Sequence, residues 1–426
     1  MFATRFRFFL IFSLILGAAM PAAAQPTVLR AARMLDVDGG RIVEDAVVVV
    51  EGGRIQAVNP ARLPDGATVI DLGDVTLLPG LMDMHTHLTG DLTGDWTNRP
   101  VRETAADAAL RGAKNARTTL MAGFTTVRDV GSKGFADVAL MHAVERGDIV
   151  GPWIVPVGHA LGITGGHCDV TGFAPGILEG GPKEGVADGP DEVLKAVRYQ
   201  IKHGAKFIKT CATAGVLSFE GPVGAQQYSD EELRVMVEEA ARHGVKVAAH
   251  AHGSAGILAA VKAGVASIEH GSMLTDEIIA EMKARGTYLV PTTYLVGAID
   301  LNALPPPIRA KAEYVLPLAI ESVKKAVAAG VKIAFGTDAA VYPHGDNAKE
   351  FAALVDRGMT PLEAIRAATV NAADLLGVDD RGRIAPGLLA DLVAVPGNPL
   401  EDVHVLEDVR FVMRGGQVFK QAAAGR

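Results

Sequence analysis

Short apolar runs alternate along most of this chain with longer segments whose apolar residues recur at helical spacing. This alternation is typical of βα units and of a parallel sheet. Eight runs have the length and composition of buried strands: 78–84, 125–128, 153–157, 206–209, 246–250, 267–269, 287–291 and 332–336. Because eight consecutive βα units close into a TIM-type barrel, we predict an α/β fold with a (β/α)8 barrel over residues 78–381.

The helix boundaries in this region carry recognisable signals. Ser229 precedes Glu232 by three residues, and Thr360 precedes Pro361 and then Glu363. Both patterns predict a capping box at a helix start. Glycines stand where four helical patterns stop and the next strand follows: Gly244, Gly264, Gly286 and Gly330. A glycine stop before each strand supports the βα repeat.

The segments outside the barrel follow a different pattern. Residues 25–77 and 382–426 contain short β-type runs separated by pairs of glycines, and neither contains a long helical pattern. We predict that the two chain ends pair into one small β-sandwich beside the barrel.

The first 24 residues read as a secretory signal peptide. Arg5 and Arg7 precede the apolar stretch 8–19, and Ala22-Ala23-Ala24 forms a cleavage pattern before Gln25. An uncleaved membrane anchor is the alternative, but the apolar stretch is short for a spanning helix. We therefore expect export to the periplasm or beyond, with no membrane span in the mature protein.

Composition narrows the range of partners. The chain has 426 residues and a formal net charge of -8, and it has no basic stripe, which argues against a nucleic-acid partner. We expect a small-molecule substrate and a homo-oligomer. Two cysteines are too few for a disulfide framework. A buried free thiol is the favoured interpretation of Cys211, and a bridge to Cys168 stays open.

Metal-binding side chains follow the predicted strands. His85 and His87 end the first strand, and residues two apart on a strand face the same side. Four further polar residues end other strands or directly follow them: Lys209, His250, His270 and Asp338. Each could be an ordinary structural polar group, and Lys209 could simply form a salt bridge, since an ammonium cannot bind a cation. Their shared position at the carboxyl ends of barrel strands, where barrel active sites lie, favours a common metal site.

Several motifs together resemble the metal-dependent amidohydrolase superfamily. They are Leu-Pro-Gly-Leu-Met-Asp-Met-His-Thr-His (78–87), the Lys209 strand, Ala-His-Ala-His-Gly (249–253), Ile-Glu-His-Gly (268–271), Gly-Thr-Asp (336–338) and Gly-Leu-Leu-Ala-Asp-Leu-Val-Ala-Val (387–395). Within the superfamily the chain is similar to Xaa-Pro-dipeptidase-like and imidazolonepropionase-like enzymes. That group includes bacterial dipeptidases and carboxypeptidases, as well as enzymes that hydrolyse ochratoxin A.

The resemblance implies a binuclear site. Lys209 would be carboxylated by CO2 and bridge two divalent metal ions, and the histidine-rich ligand set favours zinc. His85, His87 and Asp338 would bind one ion, and His250 and His270 the other. Asp338 would also act as the general base and then the general acid.

The substrate is predicted less directly. His167, Tyr228 and His252 are the polar groups that we place around it, although each also has a purely structural interpretation. A free carboxylate on the substrate would suit His167 and Tyr228. We therefore expect hydrolysis of the amide bond of a dipeptide or N-acyl amino acid, with ochratoxin A among the candidates.

Two alternatives stay open at this point. A mononuclear deaminase or cyclic-imide hydrolase would leave Lys209 without a role. A catalytically inactive periplasmic metal-binding protein would have no reason to keep all six candidate ligands.

Overall fold

Two β-structures organise residues 25–422, which are the residues that the computed structural model describes. The predicted signal peptide (residues 1–24) lies outside the described residues, as do residues 423–426. The strands, in chain order, are β1 (Thr27–Asp36), β2 (Arg41–Glu51), β3 (Arg54–Val58), β4 (Thr68–Asp71), β5 (Val75–Pro79), β6 (Leu81–Thr86), β7 (Phe124–Asp129), β8 (Trp153–Pro156), β9 (Ile208–Cys211), β10 (Val247–Ala251), β11 (Ser267–His270), β12 (Tyr288–Val290), β13 (Leu392–Pro396), β14 (Phe411–Arg414) and β15 (Gln417–Gln421).

Helices separate the strands of the central region. The α-helices are α1 (Arg99–Arg102), α2 (Ala105–Met121), α3 (Ala136–Arg146), α4 (Gly189–Lys202), α5 (Asp230–Arg242), α6 (Ser254–Ala263), α7 (Asp276–Arg285), α8 (Leu295–Ala298), α9 (Pro306–Ala328), α10 (Lys349–Asp356), α11 (Pro361–Ala367) and α12 (Val370–Leu376). Short 3-10 helices cover Trp96–Asn98, Lys133–Phe135, Leu301–Ala303 and Val403–Glu407. No helix within residues 25–422 combines the length and the apolar composition needed to cross a membrane.

The predicted barrel is confirmed. Strands β6 to β8 pair in parallel, and so do β9 to β12. Leu161 joins the two groups, because its N–H donates to Lys209 and its carbonyl accepts from Cys211, at 2.8 and 2.9 Å. Residues 332–336 close the ring between β12 and β6: the N–H of Leu289 donates to the Lys332 carbonyl, and that of Met84 to the Phe335 carbonyl, both at 2.8 Å. This eighth segment occupies the predicted place but forms only an isolated bridge, not a regular strand.

The first predicted strand is divided in the structure. Instead of one strand over 78–84, β5 ends at Pro79 and β6 begins at Leu81. Gly80 lies so close to β7 that an added Cβ would be 2.1 Å from Thr125 Oγ1. Its N–H donates to the Asp391 carbonyl at 2.7 Å. The chain thus crosses from the small sheet to the barrel at Gly80, and the small sheet reaches two residues beyond position 77.

Both chain ends pair in the small β domain, as predicted, and their eight strands form one continuous sheet where a β-sandwich was expected. Its strands run in the order β15-β14-β13-β5-β1-β2-β3, with β4 beside β1. The antiparallel pair β5–β13 joins the two ends of the chain. Apolar side chains from both ends, among them Leu29, Val48, Leu392 and Met413, form one buried cluster.

The capping predictions are also confirmed. Ser229 with Glu232 and Thr360 with Glu363 form complete capping boxes at α5 and α11. Gly264 and Gly286 end α6 and α7 in the left-handed conformation, with φ of 96° and 72°. These stops turn the chain directly into the next barrel strand.

The interpretation of Cys211 as a free thiol is wrong. Cys168 and Cys211 form a disulfide, with their Cα atoms 5.7 Å apart. The connection between β8 and α4 folds back over the end of β9, which brings two cysteines 43 positions apart into contact. The path of a long connection is not visible in a hydrophobic pattern, so the pairing could not be predicted.

Candidate metal centre

The predicted metal ligands lie around one cavity at the carboxyl ends of the barrel strands. The cavity has a volume of about 680 Å³, and its lining includes all six of them: His85, His87, Lys209, His250, His270 and Asp338. Five of them lie on barrel strands or directly after one, and parallel barrel strands all end at the same face, whereas Asp338 follows the irregular segment 332–336.

His85, His87 and Asp338 form the first donor cluster. Nε2 of His85 and Nε2 of His87 lie 3.6 and 3.4 Å from Asp338 Oδ1. One donor atom from each of the three residues falls within 4.8 Å of the others, a spacing that suits a metal ion. Asp338 has φ of 58°, so the turn after residues 332–336 carries its carboxylate towards β6 in a left-handed conformation.

His250, His252 and His270 form the second cluster, with the same spacing of 4.8 Å or less. All three side chains are buried. Nε2 of His250 is buried and has no hydrogen-bond partner among the described residues. The sequence placed His252 with the substrate, whereas the structure places it beside two predicted ligands.

Hydrogen bonds fix the orientation of three of these rings. Nδ1 of His85 lies 2.7 Å from Glu269 Oε2, Nδ1 of His252 lies 2.7 Å from Ser272 Oγ, and Nδ1 of His270 lies 2.8 Å from Thr292 Oγ1. An engaged Nδ1 leaves Nε2 as the free ring nitrogen, which is the usual arrangement of a metal-binding histidine.

Glu269 is a site residue that the sequence reasoning missed. Its second oxygen accepts from Arg128 at 2.8 Å and from Ser267 at 2.5 Å, and both charged side chains are fully buried. Successive side chains of a strand point to opposite faces, so regular geometry along β11 would turn Glu269 away from the cavity that His270 faces. His270 has φ of 68°, however, and this left-handed residue breaks the alternation at the strand end.

Asp83 is a second missed residue. It accepts from Thr337 Oγ1 at 2.6 Å and from Asn347 Nδ2 at 2.8 Å, beneath the turn that carries Asp338. It also accepts from the backbone N–H of His85 at 3.1 Å. The buried Asp83 carboxylate therefore stabilises both segments that build the first cluster, because it bonds to the backbone of His85 and to Thr337, which directly precedes Asp338. Burial raises the pKa of Asp83 to about 7.

Burial also keeps the imidazoles neutral. Together with the nearby charge of Lys209, it lowers the pKa of His87 to about 4 and that of His252 to about 3. The pKa values of the other three clustered histidines, His85, His250 and His270, are lowered in the same way. Neutral imidazole is the form that binds a metal, so the donor set fits divalent cations.

Lys209 is buried in the same cavity. Its charge contributes to lowering the pKa of His85 in the first cluster and of His250 in the second. Burial lowers the pKa of Lys209 itself to about 8. The low polarity that favours a neutral lysine also raises the pKa of Asp338 to about 6.

The residues predicted to contact substrate separate in the structure. His167 lines the cavity, with its ring centroid 4.2 Å from that of His250 and its Nδ1 2.6 Å from Ser218 Oγ. Tyr228 packs inside the apolar core, and its buried hydroxyl has no partner among the described residues. Tyr228 is not part of the cavity lining and its side chain has no exposed surface, so the structure does not bring it to the predicted position beside the substrate.

Beyond the metal ligands, the cavity lining contains both apolar and charged side chains. The apolar ones include Trp96, Val216, Leu217, Leu295, Val296, Ile299 and Leu316. The charged ones include Arg111, which forms two hydrogen bonds to Glu103 at 2.9 and 2.6 Å. Lys133 donates to the carbonyls of Pro100 and Glu103 at 2.8 and 2.7 Å. These cations are already engaged within the protein.

Comparisons with known proteins identify the family of this chain. The sequence profile of the Amidohydrolase family matches residues 76–419. The ochratoxinase of Aspergillus niger is 40% identical over 374 residues, which cover 82% of this chain and 76% of that enzyme. A Xaa-Pro dipeptidase with methionine bound in its active site is 39% identical with a TM-score of 0.89, over 93% of this chain and 100% of that one. A prolidase in complex with N-methylphosphonate-L-proline is 35% identical with a TM-score of 0.86, over 93% and 100%.

The chain therefore belongs to the amidohydrolase family, whose members are typically metal-dependent. It is a hydrolase that acts on amide bonds of small molecules.

Proposed function

We propose that this protein is a binuclear metal-dependent amidohydrolase that cleaves the amide bond of a dipeptide or an N-acyl amino acid. The main support is the presence of two separate three-donor clusters in one cavity. The similarity to an ochratoxinase and to dipeptidases supports the substrate class, because these enzymes are named for amide and peptide substrates.

The two clusters would each hold one ion. His85, His87 and Asp338 would bind the first, and His250 and His270 the second, with His252 close enough to add a third nitrogen donor. Lys209, as a carbamate, would bridge them. Nitrogen-rich ligand sets favour zinc. Bound divalent ions lower the pKa of water and polarise a carbonyl group.

Asp338 would move the proton. Its carboxylate accepts a proton from the attacking water and then donates it to the nitrogen of the leaving amine. The hydrogen bonds that Thr337 donates to Asp83, from its backbone N–H and its Oγ1, hold the neighbouring turn in place.

His167 would bind the carboxylate on the amine side of the substrate. Its Nδ1 faces Ser218 at 2.6 Å and Glu220 Oε1 at 3.3 Å, which leaves Nε2 as the free ring nitrogen. The apolar side chains of the cavity lining would contact the uncharged part of the substrate and exclude water from it.

Elemental analysis tests the binuclear site. We expect about two metal ions per chain in active protein, because six clustered donors and a lysine exceed what one tetrahedral ion uses. One ion or fewer at full activity would contradict this assignment and favour a mononuclear enzyme.

A matched pair of substrates tests the carboxylate contact. A hydrogen bond to a charged group contributes about 1.5–3 kcal/mol, so a dipeptide should exceed its C-terminal amide in kcat/KM by roughly ten- to a hundredfold. His167→Ala should remove this discrimination. Equal rates on acid and amide in the wild type would exclude the carboxylate preference, whereas discrimination that survives His167→Ala would assign it to other residues.

We also propose that residues 1–24 direct export and are then removed. The Cys168–Cys211 disulfide supports this, because such bonds persist in oxidising compartments. N-terminal sequencing of the exported protein should begin at Gln25, and a mature chain that keeps Met1 would contradict cleavage.

A further inference from the structure

The segment that carries His167 leaves the barrel and returns to it at the same place. Leu161 pairs with β9 through two backbone hydrogen bonds of 2.8 and 2.9 Å. Gly162 then pairs with Gly185 and Ala187, each at 2.9 Å. Residues 163–184 between these points contain no helix or strand. His167 therefore lies on a loop whose base is fixed but whose body projects over the cavity.

Most contacts of this loop lead to other irregular segments. The backbone N–H of His167 donates to Gln227 Oε1, and its ring Nδ1 lies near Ser218 Oγ and Glu220 Oε1. All three partners belong to the connection between β9 and α5. Thr164 bonds to Asp188, just before α4. Within the described part of the chain, no hydrogen bond joins residues 163–184 to a barrel strand. The disulfide from Cys168 to Cys211 is what ties this loop to β9.

The position of His167 leaves little room for movement. Its ring centroid lies 4.2 Å from that of His250. On another side the ring lies against Gly215, where an added Cβ would be 2.2 Å from a ring atom. Gly162 likewise allows Cys168 to lie close to it, since an added Cβ at position 162 would be 2.7 Å from the Cβ of Cys168. The ring thus occupies a narrow space, and its neighbour in sequence is the bonded cysteine.

We propose that the Cys168–Cys211 disulfide positions His167 in the active site and thereby sets the affinity for the substrate carboxylate. This inference rests on the proposed function, in which His167 binds that carboxylate. Both cysteines line the cavity, and Cys168 directly follows His167 in the chain, so the disulfide would act on substrate binding through His167.

Kinetics of a double-serine variant test the proposal. In the metal-loaded protein, Cys168→Ser with Cys211→Ser should raise KM for a dipeptide about tenfold and change kcat much less, because a misplaced binding group weakens substrate positioning. In a His167→Ala background, the same two substitutions should raise KM no further. A wild-type KM in the double-serine variant, or an equal further rise in the His167→Ala background, would overturn the proposal.

Two controls separate the positioning of His167 by the disulfide from other effects of the cysteine substitutions. Gly215→Ala crowds the ring while leaving the disulfide intact, so it should also raise KM. The metal content of the double-serine variant should match that of the wild type. Loss of metal without a change in the KM of the reloaded protein would show that the disulfide serves Lys209 and not His167, and would overturn the proposal.

Hydrogen–deuterium exchange gives a measurement that needs no substrate. Amides of residues 163–172 should exchange faster in the double-serine variant, and unchanged exchange would overturn the proposal.

If the variant does not fold, wild-type protein reduced with a water-soluble phosphine provides the same comparison, since two electrons from the phosphine convert the disulfide into two thiols. Failure of the wild type to hydrolyse any amide would reject the proposed function, and exchange would still decide whether the disulfide orders the loop.

Discussion

Burial shifts the pKa values of Asp338 and Lys209 towards each other. It raises the pKa of Asp338 to about 6 and lowers that of Lys209 to about 8. Charged forms are costly in a desolvated cavity, so both groups move towards their neutral forms. The same burial makes the surrounding histidines good metal ligands. Perturbed ionisation of this kind is typical of functional sites.

Asp338→Asn should lower kcat by roughly 10²–10⁴ while the fold stays intact, because the amide cannot accept and return a proton. Metal-loaded variant and wild type should be compared by steady-state kinetics, with metal content and thermal melting measured alongside. Asp346→Asn is the matched control, since Asp346 is a partly exposed residue that pairs with Lys349 at 2.8 Å. A rate for Asp338→Asn within about tenfold of wild type would assign the proton transfer to another group.

Reloading of metal-free protein should depend on CO2 and on pH through Lys209. Carbamate formation requires the neutral amine, and the neutral fraction rises as pH approaches a pKa lowered to about 8. At fixed dissolved CO2, the rate of reactivation should therefore rise about tenfold per pH unit below pH 8 and level off above it. Lys209→Ala should stay inactive, and a short carboxylic acid added with metal should partly restore it. Equal reactivation without CO2 would contradict the carbamate.

At the scale of single elements, β11 connects the two donor clusters. It carries His270 of the second cluster, and its Glu269 reaches His85 of the first at 2.7 Å. The sequence predicted this strand and its terminal ligand from the apolar run and the motif. It could not predict the role of Glu269, because the contact spans 184 positions and depends on the left-handed His270.

Glu269→Gln should weaken metal binding by about 10- to 100-fold, because the carboxylate that orients His85 is lost. Competition with a chelator would measure this affinity. Thermal stability should also fall, since Arg128 would keep a buried charge without its partner. Glu277→Gln, on the exposed face of α7, is the matched control. If stability fell while metal affinity stayed unchanged, Glu269 would serve only to neutralise the buried charge of Arg128.

At the scale of the whole molecule, periodicity predicted the barrel, the pairing of both chain ends and the face that holds the site. These features follow from strand order and from the glycine stops at Gly264 and Gly286. The disulfide and the burial of Tyr228 were not predicted, because both depend on the path of the connections after β8 and β9. Hydrophobic patterns constrain strands and helices, whereas long connections take their shape from contacts between distant residues.

The two domains meet around Arg414. Its guanidinium donates to the carbonyl of Gly151 and lies over the rings of Trp153, on β8, and Phe419, on β15, at 4.6 and 4.9 Å. Trp153 Nε1 donates to Asp391 Oδ2 at 3.0 Å, next to β13. These contacts link a barrel strand with three elements of the small sheet. We therefore expect the domains to unfold together.

Arg414→Ala should destabilise the protein by about 2–4 kcal/mol, since it removes a buried cation with its aromatic contacts and leaves a cavity between the domains. Urea unfolding followed by fluorescence tests this directly, because the chain has two tryptophans, Trp153 at this interface and Trp96 at the cavity. The fluorescence and circular dichroism transitions should coincide in the wild type. Arg410→Ala, at an exposed site where the side chain pairs with Asp408 at 2.9 Å, should change stability by less than about 0.5 kcal/mol. Two separate transitions in the wild type, or equal effects of the two substitutions, would show that Arg414 does not couple the small sheet to the barrel.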